Sequence, residues 1–258
     1  MQSAECGAEE DTRDKCQIRA LVEYDGTDYF GFQIQSGKPT IQGELEQVLA
    51  RLTGDPIRLR YAGRTDTGVH ATGQVIMATL AWRHSIADLE RAWNALLPSA
   101  IAVRQVELVT EPGFHPRYSA RSRIYRYQLW TAKWRSPLHQ RYAHHEPKLL
   151  DVGLMNEAAA LLVGAHDFAS FGQPTQGEVT IRKVFRMNWQ RVGQLLVFEI
   201  EANAFLRRMV RTIAGTLIEV GTGRQSVAGV AEILAARDRS AAAPPAPACG
   251  LCLVEVKY

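Results

Sequence analysis

Apolar residues fall along this chain with two alternating periods, and the order of those periods predicts its elements. Cys16 to Tyr24 (CQIRALVEY) alternates apolar and polar positions and runs into Asp25-Gly26-Thr27, a strand followed by a turn. Thr40 to Leu52 switches to helical spacing, with Ile41, Leu45, Val48, Leu49 and Leu52 on one face and Thr40 placed to cap. Strands are predicted at Ile57 to Tyr61 and Gln74 to Leu80. A helix capped by Ser85 follows, burying Ile86, Leu89, Ala92, Trp93 and Leu96 and stopping before Pro98, and Ile101 to Val109 is again a strand. The first half therefore reads β-α-β-β-α-β.

The second half repeats that order. Arg123 to Trp130 is a strand, Asp151 to Leu162 a helix, Val179 to Gln190 and Leu195 to Ala202 a hairpin closed near Gly193, Phe205 to Val220 a helix and Leu251 to Val256 a last strand. Ser226 to Arg237 adds a helix, and Ala241 to Ala248 (AAAPPAPA) an irregular link. Two successive units of this kind predict an α+β fold of two fused ferredoxin-like, RRM-like halves. They would share a broad antiparallel sheet, with a cleft between the halves. The expected division is a flexible tail over 1–15, a first half over 16–112 and a second over 113–258. In the Phe205 to Gly221 helix, Arg207, Arg208 and Arg211 are expected in the first two turns, with Arg207 and Arg211 sharing a face and requiring an anionic partner.

Composition narrows the class. At 258 residues and 46% hydrophobic the chain is an ordinary globular protein. It has no run of about eighteen apolar residues and no basic-then-apolar leader, so a soluble, cytoplasmic protein without a membrane partner is expected. Cys249-Gly-Leu-Cys252 is nominally a C-x-x-C, but no second ligand pair matches it and Cys252 alternates with Leu251 and Leu253 as a strand residue does, so no metal is expected.

Charge is more informative. Net charge is +3, yet Met1 to Lys15 holds five acids against two bases, leaving the remainder at +6. Between Gly113 and His145 there is no acid, while Arg117, Arg121, Arg123, Arg126, Lys133, Arg135 and Arg141 supply seven positive charges. Phe114, Tyr118, Tyr125, Tyr127, Trp130, Trp134 and Tyr142 are interleaved with them. Arginine neutralises phosphate and aromatic faces accept unstacked bases, so this tract points to a nucleic-acid path.

Tyr61 to Gln74 (YAGRTDTGVHATGQ) stands apart from both periods. Gly63, Gly68 and Gly73 predict a tightly folded loop between two strands, which presents Asp66 as an ionised carboxylate with Arg64 nearby. His70 reads as a residue that fastens the loop by hydrogen bonds.

These residues carry a resemblance. Tyr24-Asp25-Gly26-Thr27 with Gly31-Phe32-Gln33-Ile34-Gln35, Ala62 to Ala71 (AGRTDTGVHA) with Gly73-Gln74-Val75, Phe114 to Arg121 (FHPRYSAR), Tyr125-Arg126-Tyr127, Asp167 to Phe171 (DFASF), Ala202 to Leu206 (ANAFL) through Met209-Val210-Arg211, and Gly250-Leu251 resemble, in order, tRNA pseudouridine synthases of the TruA type. The resemblance spans about Gln17 to Tyr258. It implies homodimers that convert uridines of the tRNA anticodon stem-loop (nucleotides 38, 39 and 40) to pseudouridine without cofactor or metal. By the same resemblance Asp66 is the nucleophile, Arg211 its partner, Tyr125 lies against the target base and Leu251 lines the substrate site. Arg64 would touch the RNA near the flipped base, and Phe114, His115, Pro116, Arg117 and Tyr118 would bind RNA further out. Gly172 to Gln176 departs from the family's pattern, as does the acidic tail.

The chemistry suits these residues. Isomerisation breaks the bond between ribose C1′ and base N1 and rejoins the base through C5, with no net oxidation or group transfer. A carboxylate suits a centre with oxocarbenium character, and a close arginine keeps it ionised in a partly dry pocket. Two other classes use parts of the same pattern: a non-catalytic RNA-binding protein with two RRM-like halves, and a glycoside or nucleoside hydrolase, which would need Asp167 or Glu201 as a second carboxylate.

Overall fold

A computed structural model describes residues 15–174 and 177–258. The acidic segment 1–14, and Thr175 and Gln176 of the departing loop, lie outside the described residues; Lys15, expected in the tail, begins the first strand.

Among the described residues a ten-stranded sheet carries five α-helices. The strands are β1 (Lys15–Tyr24), β2 (Arg60–Tyr61), β3 (His70–Ala81), β4 (Ile101–Leu108), β5 (Ser122–Trp130), β6 (His144–His145), β7 (Gly164–Asp167), β8 (Ile181–Val192), β9 (Leu195–Ala202) and β10 (Leu251–Lys257). The helices are α1 (Ile41–Thr53), α2 (Ile86–Leu96), α3 (Val152–Ala160), α4 (Met209–Gly221) and α5 (Val227–Ala236). Spatial order is β4-β1-β3-β10-β5-β9-β8-β7, with β2 on β3 and β6 on β5. The expected caps Thr40 and Ser85 are in place, their side chains accepting from the backbone N–H of Gly43 and Asp88, and Asp151 and Ser226 cap α3 and α5 likewise, accepting from Leu154 and Gly229. Ile18, Ala20, Val22 and Tyr24 of β1 and Leu196, Phe198, Ile200 and Ala202 of β9 form one buried face by strict alternation.

Several expectations need correction. The sheet is not antiparallel throughout: β3 and β10, at its centre, run parallel through Cys252↔His70 and Leu253↔Ala71, and the short β5–β6 pair is also parallel. β3 begins at His70, because Ala71 already pairs with Tyr24, and the polar run that reads as loop is strand backbone. The predicted strand from Ile57 shrinks to Arg60–Tyr61. The helix predicted from Phe205 begins at Met209, because Arg208 takes a left-handed backbone (φ 64°) that a helix cannot continue through. Arg207 lies outside it, its N–H bonded to Gln173 O at 2.8 Å, so it shares no helix face with Arg211.

Close approach dictates Gly73, since a Cβ there would stand 2.1 Å from Val254 O across the seam. A second link joins distant parts of the chain. Arg141 Nη1 reaches Asp25 Oδ2 and Asp28 Oδ2, both at 3.3 Å, and Tyr142 Oη donates to Asp25 Oδ2 at 3.0 Å. Partial burial alone would raise the Asp25 pKa, but hydrogen bonds from Thr27 and Tyr142 outweigh it and leave the carboxyl at about 2, against an ordinary 3.8.

Replacing Gly73 with Val is expected to lower stability by about 1–3 kcal/mol in denaturant unfolding, through overpacking at the seam. Because the folded pKa of Asp25 is depressed, its contribution is fully present above about pH 4 and falls as pH drops toward about 2. Thermal midpoints measured across that window should fall less steeply in Asp25→Asn than in the wild type.

Candidate active site

The segment between β2 and β3 is held from several sides. Gln74, fully buried, donates its Nε2 to Gly63 O at 2.7 Å and accepts Gly63 N–H on Oε1 at 3.3 Å. Thr65 Oγ1 lies 2.8 Å from Tyr24 Oη, and Thr65 O accepts Phe32 N–H at 3.2 Å. Gly31 permits that approach: its φ is +89°, and a Cβ there would meet Thr65 O at 2.7 Å. Val69 N–H closes the turn onto Asp66 O at 3.1 Å. His70 fastens the base of the loop, as the sequence predicts, accepting Gly26 N–H on Nδ1 at 3.1 Å.

Asp66 meets Arg211 across 145 residues of chain, with Nη1 donating to Oδ2 at 3.0 Å. The pair is partly shielded, the Asp66 side chain being 28% exposed and that of Arg211 16%. Arg211 Nε donates to Ala246 O at 2.7 Å, and Ala246 N–H returns to Arg211 O at 2.9 Å, so the guanidinium is braced before it reaches the carboxylate. Arg64 is exposed and turns elsewhere, its Nε toward Tyr61 Oη at 3.4 Å. Two residues on one turn thus have separate surroundings.

Around the pair opens a cavity of about 810 Å³. Its aromatic wall is Tyr125, edge-on to Phe205 with centroids 5.0 Å apart, and Leu251 closes the floor beside it. Burial pushes the Tyr125 phenol up to about 12, so it carries its proton at neutral pH. Arg64, Arg117, Arg123, Arg182, Arg207, Arg208 and Arg211 all line the cavity, and Asp66 is the single carboxylate among its lining residues. Such an excess draws an anionic ligand inward.

The basic tract divides. Arg123, on the cavity wall, donates to Ala62 O, Arg117 O and Asn203 O, while Arg126 pairs with Glu199. Phe114 is buried against Tyr258 and Pro116 is buried with it, accepting Tyr258 Oη at 2.8 Å. Neither offers a face to a base; they hold the segment that carries His115, Arg117 and exposed Tyr118 and Arg121. Tyr127 is core. Lys133 is exposed over Trp134 but lies beyond the far end of β5, roughly 17 Å along the strand from Tyr125. Asp167 pairs with Arg237, and Glu201 is held by Ser122, Arg186 and Lys257 with its pKa at about 2; neither lines the cavity. Cys249 and Cys252 are free thiols, and burial pushes Cys252 up to about 11. Gln74, Phe205 and Arg182 have no site role in the sequence reading. Gln74 and Phe205 sit inside the recognised motifs, whereas Arg182 has no local signal.

The model of a family described as tRNA pseudouridine synthase matches the chain over residues 20–119 and 158–258. The chain belongs to this family. It is 43% identical to the tRNA pseudouridine synthase A of Geobacillus kaustophilus over 94% of each chain. It is 44% identical to that of Aeromonas hydrophila, over 94% of this chain and 90% of the relative, and 41% identical to that of Geotalea uraniireducens, over 94% and 99%. A family membership that covers both halves brings the loop of Asp66 and the helix of Arg211 under one description, that of an isomerase.

Gln74→Met keeps the side chain's length but removes both bonds to Gly63. Leaving those backbone groups without partners should cost about 1–3 kcal/mol in equilibrium unfolding.

Proposed function

We propose that this chain isomerises uridine to pseudouridine in the anticodon stem-loop of tRNA, at one or more of nucleotides 38, 39 and 40, as a homodimer of chains that each comprise two ferredoxin-like halves. The observation that carries the reading is Asp66, the one carboxylate in a cavity whose other charged lining residues are all arginines, held 3.0 Å from Arg211. Strand order supports the two halves: β4-β1-β3 with β2 on β3 is matched in sequence by β10-β5-β9-β8. The names of the relatives, each a tRNA pseudouridine synthase A, support the substrate.

The target uridine has to leave its stack to reach the cavity, at a cost of a few kcal/mol. Arg64, exposed at the rim, would brace the vacated place, and Tyr125 and Leu251 would receive the base. The ionised Asp66 carboxylate then acts at the glycosidic centre. Attack on C1′, attack on base C6 and removal of a sugar proton all start from that same charged form. In each route the C1′–N1 bond breaks, the detached base turns within the pocket, C1′ bonds to C5, and the proton lost from C5 is balanced by one gained at N1, so composition is unchanged. Tyr125 carries its proton in the free protein, so it presents the base with a flat wall and a hydroxyl able to donate a hydrogen bond. Phe114 and Pro116 would support the RNA-binding segment, His115, Arg117, Tyr118 and Arg121 would touch RNA, and Lys133 would do so only for a strand reaching the far end of β5.

A hydrolase reading lacks its second carboxylate, because Asp167 and Glu201 are both engaged away from the cavity. A purely binding protein has no need to keep a carboxylate facing a polyanion.

Asp66→Asn should abolish pseudouridine formation in unmodified tRNA, assayed by carbodiimide reactivity of a product of unchanged mass, while affinity stays within a few fold. Appreciable turnover in this variant would remove Asp66 from the chemistry. Arg211→Ala is expected to lose nearly all turnover as well, since the carboxylate would lose the partner that offsets its desolvation.

A further inference from the structure

Six of the arginines lining the cavity (Arg64, Arg117, Arg123, Arg182, Arg207 and Arg208) lie outside the contact with Asp66, and no other carboxylate lines the cavity. Their arrangement on the sheet is ordered. Val184 of β8 pairs with Ala202 of β9, and Ala202 with Arg123 of β5, so these three share one rung. By the two-residue period Tyr125 and Arg182 face the same side as that rung. β8 runs in the same direction as β5, being two antiparallel steps away, so Arg182 extends the line past Arg123. Its Cα lies roughly 16 Å from that of Tyr125.

Asn203 fixes this corner. Its N–H donates to Lys183 O at 3.0 Å, its Oδ1 accepts Lys183 N–H at 2.9 Å, and its own carbonyl accepts Arg123 Nη1 at 2.8 Å. Arg123 is thereby directed wholly at backbone carbonyls and serves as scaffold. Arg182 differs. Its Nη1 donates to Val179 O and Ile181 O, at 3.1 and 2.6 Å, but its Nε is buried and has no partner among the described residues. Burial lowers the guanidinium pKa. A buried charged donor without an acceptor is unfavourable unless a ligand supplies one.

We propose that Arg182 is a positioning residue that binds one backbone phosphate of the RNA strand flanking the target uridine, donating from Nε, with Arg207 adding charge to the same cavity wall. The inference rests on the reading of the cavity as an RNA site. It separates two functions within the cavity: Asp66, Arg211 and Tyr125 handle the nucleoside, and Arg182 sets the register of the strand. Guanidinium suits this because it offers directed, charge-assisted donors to a phosphate oxygen, which an ammonium does not.

The test uses synthetic anticodon stem-loop RNAs, each with a single neutral methylphosphonate linkage stepped through positions around the target, titrated against the wild type, Arg182→Gln and Arg182→Lys. The wild type should lose roughly tenfold in affinity at one linkage. Arg182→Gln should bind the unmodified RNA roughly tenfold more weakly and lose nothing further at that linkage, while every other linkage affects both proteins equally. Arg182→Lys should fall between them at that linkage. A merely structural role would weaken binding to every RNA alike, so equal losses at all linkages would overturn the proposal. Full affinity in Arg182→Gln would do the same, and wild-type behaviour of Arg182→Lys would overturn the assignment to Nε. Pseudouridine formation in the same samples keeps the two readings apart: normal wild-type turnover without the linkage-specific coupling refutes Arg182's role alone, binding with the expected coupling but no product refutes the activity alone, and absence of wild-type binding refutes both.

Discussion

A carboxylate facing a polyanion is repelled by its own ligand and disfavoured by burial, and the Asp66–Arg211 pair answers both problems. The guanidinium offsets the loss of hydration and screens the charge that an approaching phosphate would meet. Everything around the pair keeps it in geometry. Gln74 and Thr65 hold the backbone that presents Asp66, and Ala246 holds Nε of Arg211. The partners come from opposite ends of the chain, so the site exists only when both parts are folded and docked.

The surrounding charges are graded by what they touch. Arg123 is committed to carbonyls, Arg211 to one carbonyl and one carboxylate, and Arg64 to little beyond Tyr61. A charge fixed by backbone acceptors contributes field without moving. A charge left exposed can follow a substrate. The cavity therefore combines a rigid positive floor with an adaptable rim.

Much of this was legible in the sequence because the dominant signals are local. Alternation in β1 and β9, helical spacing in α1 and α2, and the caps Thr40 and Ser85 are each decided within a few positions. The glycine-rich loop announced Asp66, and the recognised motifs supplied Arg211 and Tyr125. What escaped depended on distant partners. The left-handed Arg208 that delays α4 follows Arg207, whose backbone is paired with distant Gln173. The strand character of His70 to Gly73 comes from β1 and β10 on either side. Phe114 and Tyr127 look like stacking rings in a basic tract, and only their packing reveals them as core. Arg182 belongs to an ordinary strand pattern, and its lone donor becomes visible only on the assembled sheet.

The parallel pairing of β3 with β10 decides which segments of the chain meet at the cavity. Strands that run the same way begin at the same end of the sheet, so the segment entering β3, which holds Asp66, and the segment entering β10, which braces Arg211 through Ala246, arrive side by side. Reversing β10 would carry its entry to the opposite rim, roughly 20 Å away, the length of that seven-residue strand. The direction of one central strand, more than the identity of any side chain, brings the two parts of the chain to a single cavity.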